Sequence, residues 1–393
     1  IGFDPEFISY LEDFRFGADI YAPEEGEVIF PYEPCVRVEG NIIETQLIET
    51  LLLNVLNFES LIATKAARIK QVAGNKLLMD FGLRRAQGFG GIQASRAAVI
   101  GGFDKTSNVY SAFHYGLGST GTMAHSWIQS FTDELTAFRI FAEKFPDSCI
   151  LLVDTYDTIK SGVPNAITVG LEMQKQGKKL LGIRLDSGDL AYLSKRSRQM
   201  LDRAGLEDVQ IVASNQLDEY VIKSLMEQGA PIDAFGVGTA LVTGKGEGAL
   251  DGVYKLSMIN GKPSLKISEN ITKTTLPGKK TIYRFRDENG MFAADGIALE
   301  KEKSVDVLYH PFEPEKSLNI SGYNREEITK KVMEKGKITA DIKSPEMISQ
   351  FAQSRLANLP GEHKRFMNPH TYKVGISKRL LELRDKLAGT DKR

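Results

Sequence analysis

The stretch ILLVDTYDTIKSGVPNAITVGLEMQKQGKKLLGIRLDSGDLAYLSKRSRQMLDRAGLEDVQIVASNQLDEYVIKSLMEQGAPIDAFGVG (150–238) decides the fold. Four short apolar runs stand in it: ILLV (150–153), LLGIRL (180–185), VQIVA (209–213) and IDAFGV (232–237). Between them, residues 166–176, 191–204 and 217–228 repeat apolar side chains at helical spacing. Strands alternating with helices at this distance make parallel βαβ units, because parallel neighbours need a crossover connection. Toward the N-terminus, LLM (77–79) and AAVIGG (97–102) read as two further strands and residues 133–144 as another helix. Six such units with strands apolar on both faces predict an α/β fold with an irregular (β/α) barrel; an open doubly wound sheet is the other arrangement.

The flanks differ in character. Ile43, Leu47, Leu51, Val55, Ile62, Ala66 and Ile69 form a helical stripe over 41–72, closed by Gly74-Asn75. Residues 26–39 alternate around Pro31 and Pro34 and predict strands. After Gly244 the chain turns rich in Lys, Thr and Gly, with hairpin signals at Asn260-Gly261 and Asn289-Gly290. Residues 326–336, 345–359 and 377–387 read as helices. The expected domains are therefore 1–72, the start of a smaller α+β sheet-containing domain with its connecting helix, and 73–245, the barrel. Residues 246–325 return to antiparallel β structure, and 326–393 form a helical extension.

Composition narrows the function. The 393 residues carry 50 Lys and Arg against 51 Asp and Glu, a net charge of −1. A broad phosphate-tracking surface needs a basic excess, so nucleic acid is not an expected partner. No apolar run approaches the ~20 residues of a membrane span; the greasiest stretch, 47–61, is interrupted by Glu49, Asn54, Asn57 and Glu59. Two cysteines, Cys35 and Cys149, give neither a disulfide scaffold nor a cysteine-based zinc site. A soluble, cytoplasmic globular protein is expected. The sequence opens at Ile1 and carries no leader-like segment there.

In a parallel barrel the working residues follow the C-terminal ends of the strands. Those positions here are DFGLRR (80–85), GGFDKTSN (101–108), STGTMAHSW (119–127), VDTYDT (153–158), RLDSGD (184–189), ASNQ (213–216) and GVGTALVT (236–243). GVGT offers backbone N–H groups in a small-residue turn suited to phosphate, and Ser214-Asn215 adds side-chain donors. Arg84, Arg85 and Arg184 can clamp a phosphate or carboxylate, or pair with Asp80, Asp186 or Asp189. Asp186 and Asp189 suit ribose hydroxyls or a Mg²⁺ carried by phosphates, or are solvated loop carboxylates. Of five histidines His125 stands out: with Asp154 fixing one imidazole nitrogen, the other is left nucleophilic or basic. No His, Cys and carboxylate spacing suggests a transition-metal site.

Together these blocks resemble the nicotinate phosphoribosyltransferase family. DFGLRRAQG (80–88), GGFDKTSN (101–108), GTMAHSW (121–127), LLVDTYDT (151–158), GIRLDSGDL (182–190), DAFGVGTALVT (233–243), KTTLPGKKTIYR (273–284) and RFMNPH (365–370) are similar to its motifs, in order, through nearly the whole chain. The resemblance implies a type II phosphoribosyltransferase acting as a head-to-tail homodimer with shared active sites. Nicotinate and phosphoribosyl pyrophosphate (PRPP) would give nicotinate mononucleotide and pyrophosphate, coupled to ATP hydrolysis, with Mg²⁺. It implies that His125 is phosphorylated by ATP and oriented by Asp154, that Phe81 stacks on the pyridine ring and that Arg84 meets pyrophosphate. Arg184 and Thr122 would bind substrate, Asp186 the ribosyl and Mg²⁺ region, and Ser214, Asn215, Gly238 and Thr239 the 5′-phosphate. Lysines in 255–280 are expected to approach ATP.

Ser107 bears on the choice of substrate. Nicotinamide-using relatives carry Asp there, which accepts from an amide and repels a carboxylate, whereas serine donates. Two departures from the family pattern stand out. A Thr-Asp-Leu-Tyr-like segment, whose Tyr reaches the neighbouring subunit, is expected ahead of Ile1, and Asn215-Gln216 stands where Gly-Asp is common. Two other functions fit parts of the pattern. A sugar-phosphate lyase or isomerase would need a catalytic lysine at a strand end, for which Lys105 is the only candidate, and its GFDKTSN setting fits better as a substrate loop. A regulatory dimer without turnover would bind nicotinate and form no product.

Overall fold

The computed structural model describes residues 2–267 and 275–389. They fall into two units, one of residues 56–251 with 344–350, the other of residues 2–55 with 252–267, 275–343 and 351–389. Strands β1 (Asp19–Ala22) and β2 (Arg37–Glu39) come first. The barrel unit supplies β3 (Leu77–Asp80), β4 (Lys105–Thr106), β5 (Ile150–Leu152), β6 (Gly182–Leu185), β7 (Gln210–Ser214) and β8 (Ala234–Val237). The other unit continues with β9 (Met258–Ile259), β10 (Lys262–Pro263), β11 (Lys280–Arg286), β12 (Phe292–Leu299), β13 (Val307–Tyr309) and β14 (Ser317–Asn319). It ends with β15 (Asn324–Glu327), β16 (Lys330–Glu334), β17 (Lys337–Ile338) and β18 (Val374–Ser377).

The barrel strands are all parallel and stand in the order β4-β3-β8-β7-β6-β5. The first strand of this parallel sheet in chain order pairs with its last, Leu77–Asp80 against Ala234–Val237, as the first and last strands of a barrel do. The open seam lies between β4 and β5, and there Thr106 forms a parallel bridge to Ser119. Alternation along each strand divides the apolar side chains. Leu78, Leu151, Ile183, Ile211 and Phe235 join the core shared with the helices, together with Ile62, Ile69 and Phe138. Met79, Val212 and Ala234 form a smaller cluster of their own with Phe81 and Ile150. The α/β class with a barrel-type parallel sheet and a second sheet-containing unit is thus what the chain adopts.

In the second unit β17-β16-β1-β2 form one antiparallel sheet and β14-β13-β18-β12-β11-β15 a mixed one. Asn260 and Gly261 both take positive φ, 48° and 75°, the hairpin geometry their sequence demands between β9 and β10. The Asn289-Gly290 turn joins β11 to β12.

Several local expectations are corrected. AAVIGG (97–102) is not a strand: its first four residues end the Gly90–Ile100 helix. Its small side chains permit close helix packing, since a Cβ on Gly101 would fall 2.4 Å from the Ala63 carbonyl oxygen. A short apolar run cannot tell a buried helix from a strand by periodicity. Of 26–39 only Arg37–Glu39 is a strand, because Pro31 and Pro34 lack donors and the Glu27 and Glu33 carboxylates take the Val28 and Phe30 N–H groups. The 41–72 stripe forms two helices, Ile42–Leu47 and Glu49–Ala73. The helix expected at 326–336 is instead β15 and β16. Its Lys and Glu residues favour helix, but Glu326 pairs with Arg286 and Arg355, and Glu327 accepts from Thr281 on the adjoining strand. Pro345–Ala357 and Lys378–Ala388 are helices. No helix among the described residues is long and apolar enough to cross a membrane.

Candidate active site

The site is built on the C-terminal ends of the barrel strands, starting from β3. Asp80 closes that strand fully buried, its Oδ1 accepting from Gly82 N at 2.8 Å and its Oδ2 from Ser95 Oγ and Thr106 Oγ1 at 2.8 Å. Three donors from within the barrel already hold this solvent-inaccessible carboxylate, and no guanidinium reaches it among the described residues. Arg84 and Arg85, on the short turn Leu83–Arg85, are exposed and carry no ion pair among the described residues. The pairing of Arg85 with Asp80 that the sequence left open does not occur.

Phe81 is seated by two glycines. Its N–H donates to Val237 O at 2.8 Å, and a Cβ on Gly236 would lie 2.4 Å from its ring. A Cβ on Gly238 would lie 3.0 Å from the Phe81 carbonyl oxygen. The Gly-x-Gly of GVGT thus makes room for Phe81, and Gly238 also caps the one-turn helix Thr239–Val242. The Arg184 guanidinium carbon stands 5.3 Å from the Phe81 ring centroid. Its Nε donates to Ser214 Oγ at 2.8 Å and one terminal nitrogen donates to Thr122 Oγ1 at 2.6 Å. The other lies 3.1 Å from Asp186 Oδ1, which also accepts from Ser214 Oγ at 2.5 Å. Four loops from separate strands thereby join in one network, with Asp186 Oδ2 outside it.

One strand over, His125 begins the short helix His125–Gln129, with its side chain 40% exposed. Its Nε2 lies 3.2 Å from Oδ1 of Asp154, which is almost wholly buried. A carboxylate only accepts, so the shared proton sits on Nε2 and Nδ1 keeps its lone pair. Asp154 Oδ2 accepts from the Asp186 N–H at 2.9 Å and from Ser187 Oγ at 2.5 Å.

The remaining expected residues occupy distinct places. Ser107 is half-buried, its N–H donating to Asp80 O at 2.8 Å. Asn215 and Gln216 take left-handed backbone, φ 80° and 49°, which asparagine tolerates and glutamine adopts at a cost of roughly 1 kcal/mol. Asp189 caps the Leu190–Arg203 helix through Tyr192 N and stands apart from Asp186 in role. Among the lysines of 255–280, Lys273 lies outside the described residues. Lys279 pairs with Glu39, and Lys280 is buried with its Nζ donating to Leu276 O and Gly278 O at 2.7 Å. No group of three His, Cys, Asp or Glu among the described residues could hold a metal by itself.

Sequence reasoning passed over one residue, Ser187, which was hidden inside the RLDSGD block and had no motif of its own. Lys105, whose GFDKTSN setting reads as a substrate loop, lies by β-register opposite Met79, on the strand face shared with Gly236, and makes no ion pair among the described residues.

The profile of the nicotinate phosphoribosyltransferase family matches residues 77–313, that of its N-terminal domain residues 1–57 and that of its C-terminal domain residues 279–384. The chain is 43% identical over 389 residues to the nicotinate phosphoribosyltransferase of Bacillus subtilis, covering 96% of this chain and 79% of that one. It is 38% identical over 439 residues to that of Dictyostelium discoideum, with 96% and 74% covered. The crystal structure of human nicotinic acid phosphoribosyltransferase superposes with a TM-score of 0.85 at 30% identity, over 98% of this chain and 85% of that one. That of a nicotinate-nucleotide pyrophosphorylase from Pyrococcus furiosus gives 0.73 at 28% identity, over 90% and 84%.

Proposed function

The chain belongs to the nicotinate phosphoribosyltransferase family, an enzyme family of NAD biosynthesis, and from that premise we propose how its site works. Nicotinate's ring nitrogen attacks C1′ of PRPP, the bond from C1′ to pyrophosphate breaks, and nicotinate mononucleotide and pyrophosphate leave. That nitrogen is unprotonated near neutrality, so the reaction needs positioning and charge stabilisation more than a general base. The observation that carries this reading is the Arg184 network beside Phe81: a fixed cation over an aromatic platform, tied to Ser214, Thr122 and Asp186.

In this reading Phe81 stacks on the pyridine, and Arg184 with Thr122 orients the substrate. Ser214, Asn215 and the Gly238-Thr239 turn hold the 5′-phosphate, while Arg84, which has no protein counter-ion among the described residues, meets the departing pyrophosphate. Ser107, a hydroxyl donor just past β4, favours nicotinate's carboxylate over an amide, and Lys105 of β4, which makes no ion pair among the described residues, adds a favourable charge. Asp186, whose Oδ2 stands outside the Arg184 network, would hold a Mg²⁺ carried by phosphates, and the ion would offset pyrophosphate charge.

ATP coupling runs through His125. With Nε2–H committed to Asp154, Nδ1 attacks the γ-phosphorus of ATP, the bond to the β–γ bridging oxygen breaks, and ADP leaves with the electron pair. A homodimer belongs to the same reading and is supported by exposed Phe89, Val109, Tyr110 and Phe113, at 83%, 73%, 59% and 89%. A cytoplasmic location is supported by the two free thiols.

The test is product formation from nicotinate or nicotinamide with PRPP and Mg²⁺, with and without ATP. Nicotinate mononucleotide rising with ATP supports the substrate and the coupling together. Nicotinate bound without product would instead favour a regulatory protein.

A further inference from the structure

Asp154 is held on both sides. Oδ1 faces His125, and Oδ2 receives the Asp186 N–H at 2.9 Å and the Ser187 hydroxyl at 2.5 Å. Ser187 itself is exposed, in the turn between β6 and the Leu190–Arg203 helix, and its side chain makes no other hydrogen bond among the described residues. The turn does not need that hydroxyl: Gly188 supplies the positive φ of 74°, and Asp189 caps the helix. A solvent-exposed serine whose one bond goes to a buried carboxylate serves the carboxylate.

We propose that Ser187 is a positioning residue for phosphorylation of His125, an inference that rests on the phosphohistidine reading above. The His125 ring is 40% exposed at the start of a one-turn helix, so little packing selects between its two flipped orientations. Asp154 selects, because its presented oxygen accepts only from Nε2–H in the observed pose. That selection is as sharp as the carboxylate is fixed, and Ser187 supplies one of the two donors that fix Oδ2. With the pose held, the Nδ1 lone pair points free for the γ-phosphorus, the bond to ADP's leaving oxygen breaks, and the proton stays on Nε2. Without Ser187 the carboxylate hangs on one amide, and the ring samples orientations in which the nucleophilic nitrogen faces away.

The experiment is single-turnover labelling with γ-³²P-ATP in the full chain, comparing the parent, Ser187→Ala and Ser187→Thr. The expected result is a roughly tenfold or greater slowing of acid-labile label in Ser187→Ala, largely restored by threonine's hydroxyl. The thermal midpoint is expected to stay unchanged, since the side chain is exposed, and the KM for nicotinate to stay within about twofold. A second readout, ¹⁵N shifts of His125, should change from one tautomer to a mixture in Ser187→Ala. Parent-like labelling in Ser187→Ala, or threonine as slow as alanine, overturns the inference while the parent's label upholds the phosphohistidine. A parent chain that takes no label overturns both.

Discussion

Two arginines, one in each unit, show what separates a structural polar cluster from a working one. Arg284 on β11 is fully buried. Nε and one terminal nitrogen donate to Asp295, that same nitrogen reaches Val28 O at 2.6 Å, the other pairs with Glu27, and the guanidinium carbon lies 4.3 Å from the Phe292 ring centroid. Its charge is cancelled by two carboxylates. A third carboxyl nearby, Glu33, is pushed well above its usual range by burial and by the Asp295 charge. Arg184 in the barrel also uses all its nitrogens, but two of its three partners are hydroxyls and only Asp186 opposes its charge. At other strand ends of the same sheet, Arg84, Arg85 and Lys105 have no carboxylate partner among the described residues. A cluster that folds cancels its charges; a cluster that binds anions keeps some of them uncancelled.

The largest effect should come from the first cluster. Arg284→Met leaves Asp295 buried without its cation and Glu27 with Arg355 alone, and should cost about 3–5 kcal/mol of stability by urea melt. Activity per folded molecule should hold. A loss under about 1 kcal/mol would erase the contrast between the two arginines.

His125→Ala tests the opposite case, an exposed side chain whose loss should leave the melt within about 0.5 kcal/mol of the parent. ATP stimulation should vanish, a loss of roughly a hundredfold in the ATP-coupled rate, with slow transfer remaining. ATP stimulation that survives would rule out the phosphohistidine.

A third prediction sharpens the comparison through pH. Burial, with the nearby Arg37 charge adding to it, lowers the Lys280 amine from 10.5 to about 7. Between those values the unfolded chain holds the extra proton, so stability rises with pH across this window and the penalty is full below it. Lys280→Met should flatten that slope by up to about 1.4 kcal/mol per pH unit, whatever its effect at one pH. Melts at pH 7 and pH 9.5 check it, and an unaltered slope would mean that the amine stays charged in the fold.

The smallest effect is steric. Gly236→Ala places a methyl where the Phe81 ring lies and should raise the KM for nicotinate three- to tenfold, with kcat moving less. An unchanged KM would remove Phe81 as the platform.

Much of this was legible beforehand, for reasons that differ by residue. The strands β5 to β8 were readable because a run of apolar residues bounded by polar ends has one economical place, inside a parallel sheet. The strand ends were readable as a site because polar side chains recur there with no folding need. AAVIGG misled because small apolar residues suit a helix packed close to another as well as a strand. Residues 326–336 misled because charged residues favour helix only until partners across a sheet take them up. Ser187 escaped because it has no spacing: its meaning lies in what faces it.

The sequence by itself determined the order of elements, the parallel sheet and the block set that marks the family, since these follow from periodicity and local residue chemistry. Only the tertiary structure decided that β3 closes on β8, that Asp80 is spent inside while Arg84 and Arg85 are left uncompensated, and that Gly236 and Gly238 make room for Phe81. It also decided which imidazole nitrogen faces Asp154. These are matters of which atoms meet across distances of tens of residues, and short-range pattern carries no record of partners that the chain brings together only on folding.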